Sequence, residues 1–511
     1  MKKILATLVA AALLLGMAIP FATAETPAID TSEHVVITYM VTGNVPTDKT
    51  QETLAKLNEL LTEKVNAELK LHWIEWTDYM SVYNLTLASQ DGNIDLVGTA
   101  TDWLDAWPNS INGAFMPLSE EMLKTYAPMT WAQVPAENWE LCKYDGDIYL
   151  LPEDNYAQWI NHGFMYRGDW AKEAGLEDGV HSWEQLGQYF QYVKDTYPEV
   201  IPWDGKPDAS IINQLAGGWQ TSHTKNIFME GMPVALFFGV SPEDPYTVSR
   251  YYYEGDELVN FALNQKAWAD AGYWREDVLN NTSIDTAKEM EQGISGAHQH
   301  HTQTHVGSES WRMEQYQPGS DLGFFWFGEE MGNLIKLNIT HGAMAIAARS
   351  KNPERALMVY DLIRNDKEVY TLVCYGIEGV QYIMKDEKVF VRPDGYKSDT
   401  DGSSFNWWWG RNDAFVLNSP EFAADKAAIL YAIYDGVAIN YPYGQIVFNL
   451  DPISVELDNL SNVFNTYMPQ IVYGKNPNPE AYVAEFRQQL KAAGYERAIA
   501  EIEKQLAAVY K

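Results

Sequence analysis

Residues 296–307 read GAHQHHTQTHVG, which places His298, His300, His301 and His305 inside eight positions of a chain that has 10 histidines in all. Imidazole is the commonest protein ligand for transition metals, but a zinc site needs three or four ligands converging on one point. On a strand, alternation sends His298 and His300 to one face and His301 and His305 to the other. On a helix, His298, His301 and His305 would share a face. Gly293 and Gly296, just ahead of the run, favour strand or loop. No HExxH or CxxC pattern adds support. The cluster therefore reads as side chains that pack or line a cleft, one of them able to bond a ligand hydroxyl. A metal site at His298–His305 is the alternative.

The tryptophans carry a clearer signal. Aromatic residues make up 13% of the chain, with 18 Trp and 31 Tyr. Trp76, Trp103, Trp159, Trp219, Trp326 and the run Trp407-Trp408-Trp409 lie in stretches bordered by Gly, Pro, Asn or Asp. Sugars present apolar C–H faces that stack on aromatic rings, and hydroxyls that need planar polar partners. Such partners adjoin several of these rings: Glu75 beside Trp76, Asp102 beside Trp103, Gln220 beside Trp219, Glu329 near Trp326, Arg411 near Trp409. The candidate ligand-binding set is Glu75, Trp76, Asp102, Trp103, Trp159, Trp219, Gln220, Trp326, Trp408, Trp409 and Arg411. Core packing is the competing reading for each ring.

The elements that must position these residues are legible near the N-terminus. Residues 34–41 (HVVITYMV) are rich in β-branched residues and read as a strand. Leu54, Leu57, Leu61 and Val65 then repeat at helical spacing over 48–66. A second strand over 68–76, a helix over 80–88 and a third strand over 93–99 follow. This β-α-β-α-β order implies a parallel sheet, whose ligands bind beyond the carboxyl ends of the strands. Those ends carry Met40–Gly43, Glu75-Trp76 and Thr99–Trp103. Further along, Ser182 caps a helix, Pro353 opens another over 352–365, and 479–511 reads as amphipathic helix with Tyr482, Phe486, Leu490, Ala493 and Ile499 inward.

Composition excludes several classes. The chain is long enough, at 511 residues, for two domains. Met1-Lys2-Lys3, an apolar run to Ile19 and Ala22-Thr23-Ala24 form an export leader over 1–24. Loss of its two lysines takes the net charge from −34 to −36, a surface that repels nucleic acid and anionic membrane. Cys142 and Cys374 are too few for a disulfide framework, and two free thiols are expected. Neither sits at the end of the leader, so no lipid anchor is expected. There is no G-x-S-x-G elbow, no Walker loop and no Cys–His pair, and so many acidic residues make carboxylate pairs uninformative. A secreted glycosidase is the weakest reading.

Several stretches resemble the extracellular solute-binding proteins of ABC importers. YDGDIYLLPEDNYAQWINHGFMYRGDWAKEAGL is similar to the segment where such proteins first cross between lobes. HSWEQLGQYFQYVKDTYP resembles their T-W-[DE]-E-L helix. KEMEQGISGAHQHH resembles a turn and strand that is usually apolar. The SKNPERA and YGIEG stretches, with the ending FNLDPISVELDNL onward, resemble a subgroup of large oligosaccharide binders. The resemblance implies an α/β fold of the type II periplasmic-binding-protein kind: two lobes, each a mostly parallel sheet flanked by helices, joined by hinge crossings. Lobe one would be 25–153 with 335–385, and lobe two 154–334 with 386–511. It implies a non-enzymatic periplasmic or extracellular monomer without cofactor that captures a carbohydrate, or alternatively a peptide, by hinge closure and delivers it to ABC permease subunits.

Overall fold

Thr47 starts the first helix. Its hydroxyl accepts the Thr50 amide and the Thr50 hydroxyl accepts the Thr47 amide, a closed capping box. In the computed structural model, which describes residues 29–509 except 44–46, 76–78, 90, 91, 102, 154–158, 161, 283, 404, 406, 408, 420 and 445, this cap separates two long strands. The expected leader, 1–24, lies outside the described residues. β1 (Val35–Gly43), α1 (Asp48–Val65), β2 (Ala67–Glu75), α2 (Tyr79–Ser89) and β3 (Leu96–Thr99) follow in the order expected. β2 and β3 both pair with β1 in parallel, with Gly43 opposite Glu75.

The chain leaves this lobe after β4 (Leu151–Pro152), passes a hinge strand, β5 (Trp159–Ile160), and enters lobe two as β6 (His162–Tyr166). There α3 (Trp183–Thr196), capped by Ser182 as expected, and α4 (Ala209–His223) precede β7 (Ala297–His301) and β8 (Gly323–Trp326). A second hinge strand, β9 (Ile335–Lys336), leads back to β10 (Ala343–Ile346) and α5 (Pro353–Asn365) in lobe one. The last crossing brings α6 (Ala424–Val437), hinge strand β11 (Ile439–Asn440) and helices α7 (Ser454–Val472), α8 (Pro479–Ala492) and α9 (Tyr495–Val509). The break between α8 and α9 divides the helix expected over 479–511. Gly494 sits there at φ +94°, where a Cβ would also lie 2.6 Å from Glu456 Cγ.

The lobe-one sheet has the order β2-β1-β3-β10-β4, with β10 antiparallel to β3 and β4. The lobe-two sheet β7-β6-β8 is antiparallel throughout, which corrects the expectation of a mostly parallel sheet in that lobe. The reason is topological: β6 starts at the hinge, and both neighbours run back toward it. The hinge strands form their own small sheet, β11-β9-β5.

Each lobe has a separate core. Lobe one buries Ile37, Tyr39, Leu57, Leu61 and Ile346, together with Phe405 and Trp409. Those last two were expected in lobe two. The segment around them stays with lobe one because two large rings need its core, and because Asn412 Nδ2 bonds the Arg364 carbonyl and the Leu417 amide bonds the Tyr375 hydroxyl. Lobe two has one large core, with Trp183, Trp203 and Phe486, and a smaller one under α6, with Met165, Trp326 and Tyr434. Cys142 and Cys374 are not joined in a disulfide. No helix among the described residues is long and apolar enough to cross a membrane.

Candidate functional site

The carboxyl ends of β1, β2 and β3 meet the hinge. The Thr101 amide donates to the Thr340 carbonyl at 3.2 Å, and their hydroxyls lie 3.4 Å apart. Trp107 Nε1 donates to the Gly444 carbonyl, so the last crossing is tied to the same end of lobe one. Just beyond β4, Glu153 is buried, its amide held by the Ile339 and Gly342 carbonyls. Burial pushes the Glu153 carboxyl up to about 8, against the opposing pull of His341, Arg411 and Arg364. Arg364 is fully buried and donates to the Pro152 and Glu153 carbonyls and to the Tyr360 hydroxyl. A buried arginine thus fastens the end of β4, just ahead of the first crossing, to α5.

Around this point lie half-buried polar and aromatic groups. Trp103 and Tyr79 meet edge to face with centroids 5.7 Å apart at the strand ends of lobe one. Arg411 is paired with Asp413 at 2.7 Å and is close enough to lower the Tyr431 phenol, on α6 of lobe two, against the upward push of burial. Glu75 ends β2, exposed. Of the candidate set, the structure therefore brings Glu75, Trp103 and Arg411 to the inter-lobe end of lobe one. Trp76, Asp102 and Trp408 lie outside the described residues. Trp159 is in a hinge strand; its side chain is outside them too.

Four candidates are core side chains instead. Trp219 is 7% exposed, stacked on His223 at 3.9 Å inside lobe two. Gln220, on the same helix, is fully buried and bonds Asn226. Trp326 is buried against Tyr434, and Trp409 is buried against Tyr39. In each case the ring or amide occupies space that the lobe itself must fill, and a flanking Gly or Asn did not report exposure. Tyr79, Tyr431, Glu153 and His341 were not singled out from the sequence. Tyr79 had a signal, since it follows the end of β2 by four residues; the others are placed by long-range packing.

The histidines fall partly as expected. β7 carries His298 and His300 on one face, with rings 5.6 Å apart, and His301 on the other. His305 departs from the expected alternation, because the strand ends at His301 and the chain turns into a helical run. It stacks on Phe324 at 5.2 Å, on the face that holds His298. Burial lowers His298, His301 and His305 to about 3. Among the described residues, no group of three or more His, Cys, Asp or Glu side chains is arranged to hold a metal ion.

These shifts set a pH dependence. Burial raises Glu289 and Glu309 to about 7 and Glu153 to about 8, so their contribution to stability is lost as pH rises through those values. The depressed histidines act oppositely: stability is lost as pH falls below their unfolded value, about 6.5. Denaturant titrations are therefore expected to give a maximum near about pH 6, with losses on both sides. A curve flat to about pH 9 would contradict the buried carboxyls.

Two lobes joined by three crossings, with aromatic and polar groups at the facing ends, define the two-lobe solute-binding fold of the type II periplasmic-binding-protein kind. A curated relative from Streptococcus pneumoniae, named carbohydrate ABC transporter substrate-binding protein, is 24% identical over 94% of this chain and 91% of its own. The crystal structure of an N-glycan transport solute-binding protein, NgtS, from the same species superposes with a TM-score of 0.72 at 20% identity, covering 93% of this chain and 99% of that one. The alginate-binding protein AlgQ2 without calcium ion gives 0.62 at 18% identity over 94% and 99%. The family model described as Domain of unknown function (DUF3502) matches residues 442–511. These likenesses bear out the resemblance read from the sequence.

Proposed function

We propose that this chain is the exported receptor of an ABC importer. It captures a carbohydrate, an oligosaccharide in preference to a single sugar, between its lobes and hands it to the permease. It performs no chemistry on the ligand. The observation that carries this reading is the aromatic pair Trp103–Tyr79 at the strand ends of lobe one. Trp103 and Tyr79 offer ring surface there, Glu75 and Arg411 offer planar polar groups, and β5, β9 and β11 allow the lobes to close. The names of the relatives, a carbohydrate substrate-binding protein and an N-glycan transport solute-binding protein, agree with it.

Titration of purified protein with neutral oligosaccharides, Man5GlcNAc among them, tests the reading by calorimetry, with thin-layer analysis for products. Binding without product is expected; hydrolysis, or binding of none of the glycans, would overturn it. Trp103→Ala should then weaken the bound glycan by about tenfold or more, the worth of one stacked ring. An affinity within about twofold of the parent would remove Trp103 from the site.

A further inference from the structure

The histidines on β6 and β7 have a feature that packing alone does not require. His162, His300 and His301 are each half-buried at the hinge end of the lobe-two sheet, with ring centroids 4.3–5.9 Å apart. The Thr304 backbone N–H donates to His301 Nδ1 at 3.2 Å. A nitrogen that accepts from an amide carries no proton, so the His301 proton sits on Nε2. The Thr304 hydroxyl lies 2.8 Å from His300 Nδ1, and the Gln299 amide nitrogen lies 3.2 Å from His162 Nδ1. With the hydroxyl and the amide donating, both rings again keep their proton on Nε2. In all three rings Nδ1 has a partner within lobe two, and where that partner donates, Nε2 is the nitrogen that keeps the proton.

The position of this cluster is set by the hinge. His162 is among the first residues of lobe two, and His301 pairs with it at the end of β7. His341, close enough to depress His301, sits in the turn that carries Thr340, which is bonded to Thr101 at the end of β3. The imidazoles therefore stand across the hinge from the Trp103 end of lobe one.

We propose that His162, His300 and His301 are a set of fixed neutral N–H donors on the lobe-two wall of the cleft, and that they recognise acceptor oxygens of the glycan. This rests on the carbohydrate reading above. Acceptor oxygens come from two sources, the ring, bridge and acetamido oxygens of a neutral glycan or the carboxylate of a uronide, and the test includes both. The charged and titratable neighbours are His298 on the same strand, with Asp285 and Lys206 near it, and His341 on the hinge turn, with Glu153 near that. Desolvation lowers all three rings, and repulsion from neighbouring histidines adds to it at His162 and His301, which favours the uncharged donors.

The test compares wild type with His300→Leu, His301→Leu and His301→Gln, titrated calorimetrically with neutral Man5GlcNAc and with a tri-uronide. Each variant's melting temperature is recorded. Nitrogen-15 spectra of the imidazoles in the unliganded wild type give tautomer and titration directly. Expected are Nε2–H tautomers, with His301 titrating at about 3 and His162 and His300 below a free imidazole. The leucine variants should each lose about tenfold or more for the glycan that binds, while His301→Gln stays within about threefold, because its amide places a donor where Nε2 was. Wild-type binding that the leucine variants match, or rings that titrate near about pH 6.5, would overturn the inference and leave the receptor reading standing. Failure of wild type to bind either glycan would overturn both.

Discussion

Arg364→Met is expected to destabilise the protein by about 3–5 kcal/mol, read as a lower urea midpoint at unchanged slope. The guanidinium is fully buried and donates at 2.6 Å to the Pro152 carbonyl, at 3.2 Å to the Glu153 carbonyl and at 3.1 Å to the Tyr360 hydroxyl. Methionine fills much of the volume but leaves those acceptors buried without their donor, and an unpaired buried acceptor costs more than a formed bond gains. Arg364 also lowers the Glu153 carboxyl, so the variant should hold the Glu153 proton to higher pH. A loss under about 1 kcal/mol would mean that water reaches the end of β4 and replaces the arginine.

Trp409→Ala is expected to cost a similar amount, about 3–5 kcal/mol. The ring is fully buried, edge to face with Tyr39 at 6.4 Å, and lies over Gly98 of β3. A Cβ at position 98 would come within 2.9 Å of two ring atoms, so the strand can carry no side chain there while the tryptophan is present. Gly98→Ala alone should therefore cost about 1–3 kcal/mol by overpacking. Combined with Trp409→Ala, it should cost less than the sum of the two, because the methyl then enters the vacated space. Strict additivity in chemical denaturation would place the ring elsewhere.

The first five elements of lobe one were legible because each is local: a capping box, an 18-residue amphipathic helix and β-branched strands. The hinge was legible only through the resemblance, since its strands are two residues long and carry no periodicity of their own. Site residues divided along the same line. Trp103 and Glu75 follow strand ends that the sequence locates. Trp219, Trp326 and Trp409 were judged by their neighbours, yet a tryptophan's burial depends on the residues across from it, which lie far away in sequence. Gln220 shows the same limit for polar groups: its partner Asn226 satisfies it inside the core. The histidine alternation was right while the strand lasted and failed at Thr302, where the backbone changes period.

Lobe one draws its sheet from both sides of a long excursion: Thr101 and Thr340, bonded to each other, are 239 positions apart, and the ring of Trp409 comes later still. A growing chain can make β1, β2 and β3 early, but their exposed flank waits for β10, and the Gly98 surface waits for Trp409. Such distant closure slows folding relative to local pairing. The N-terminal half of the newly made polypeptide is thus kept from locking into its final shape until most of the remainder has emerged, which leaves it threadable in the interval.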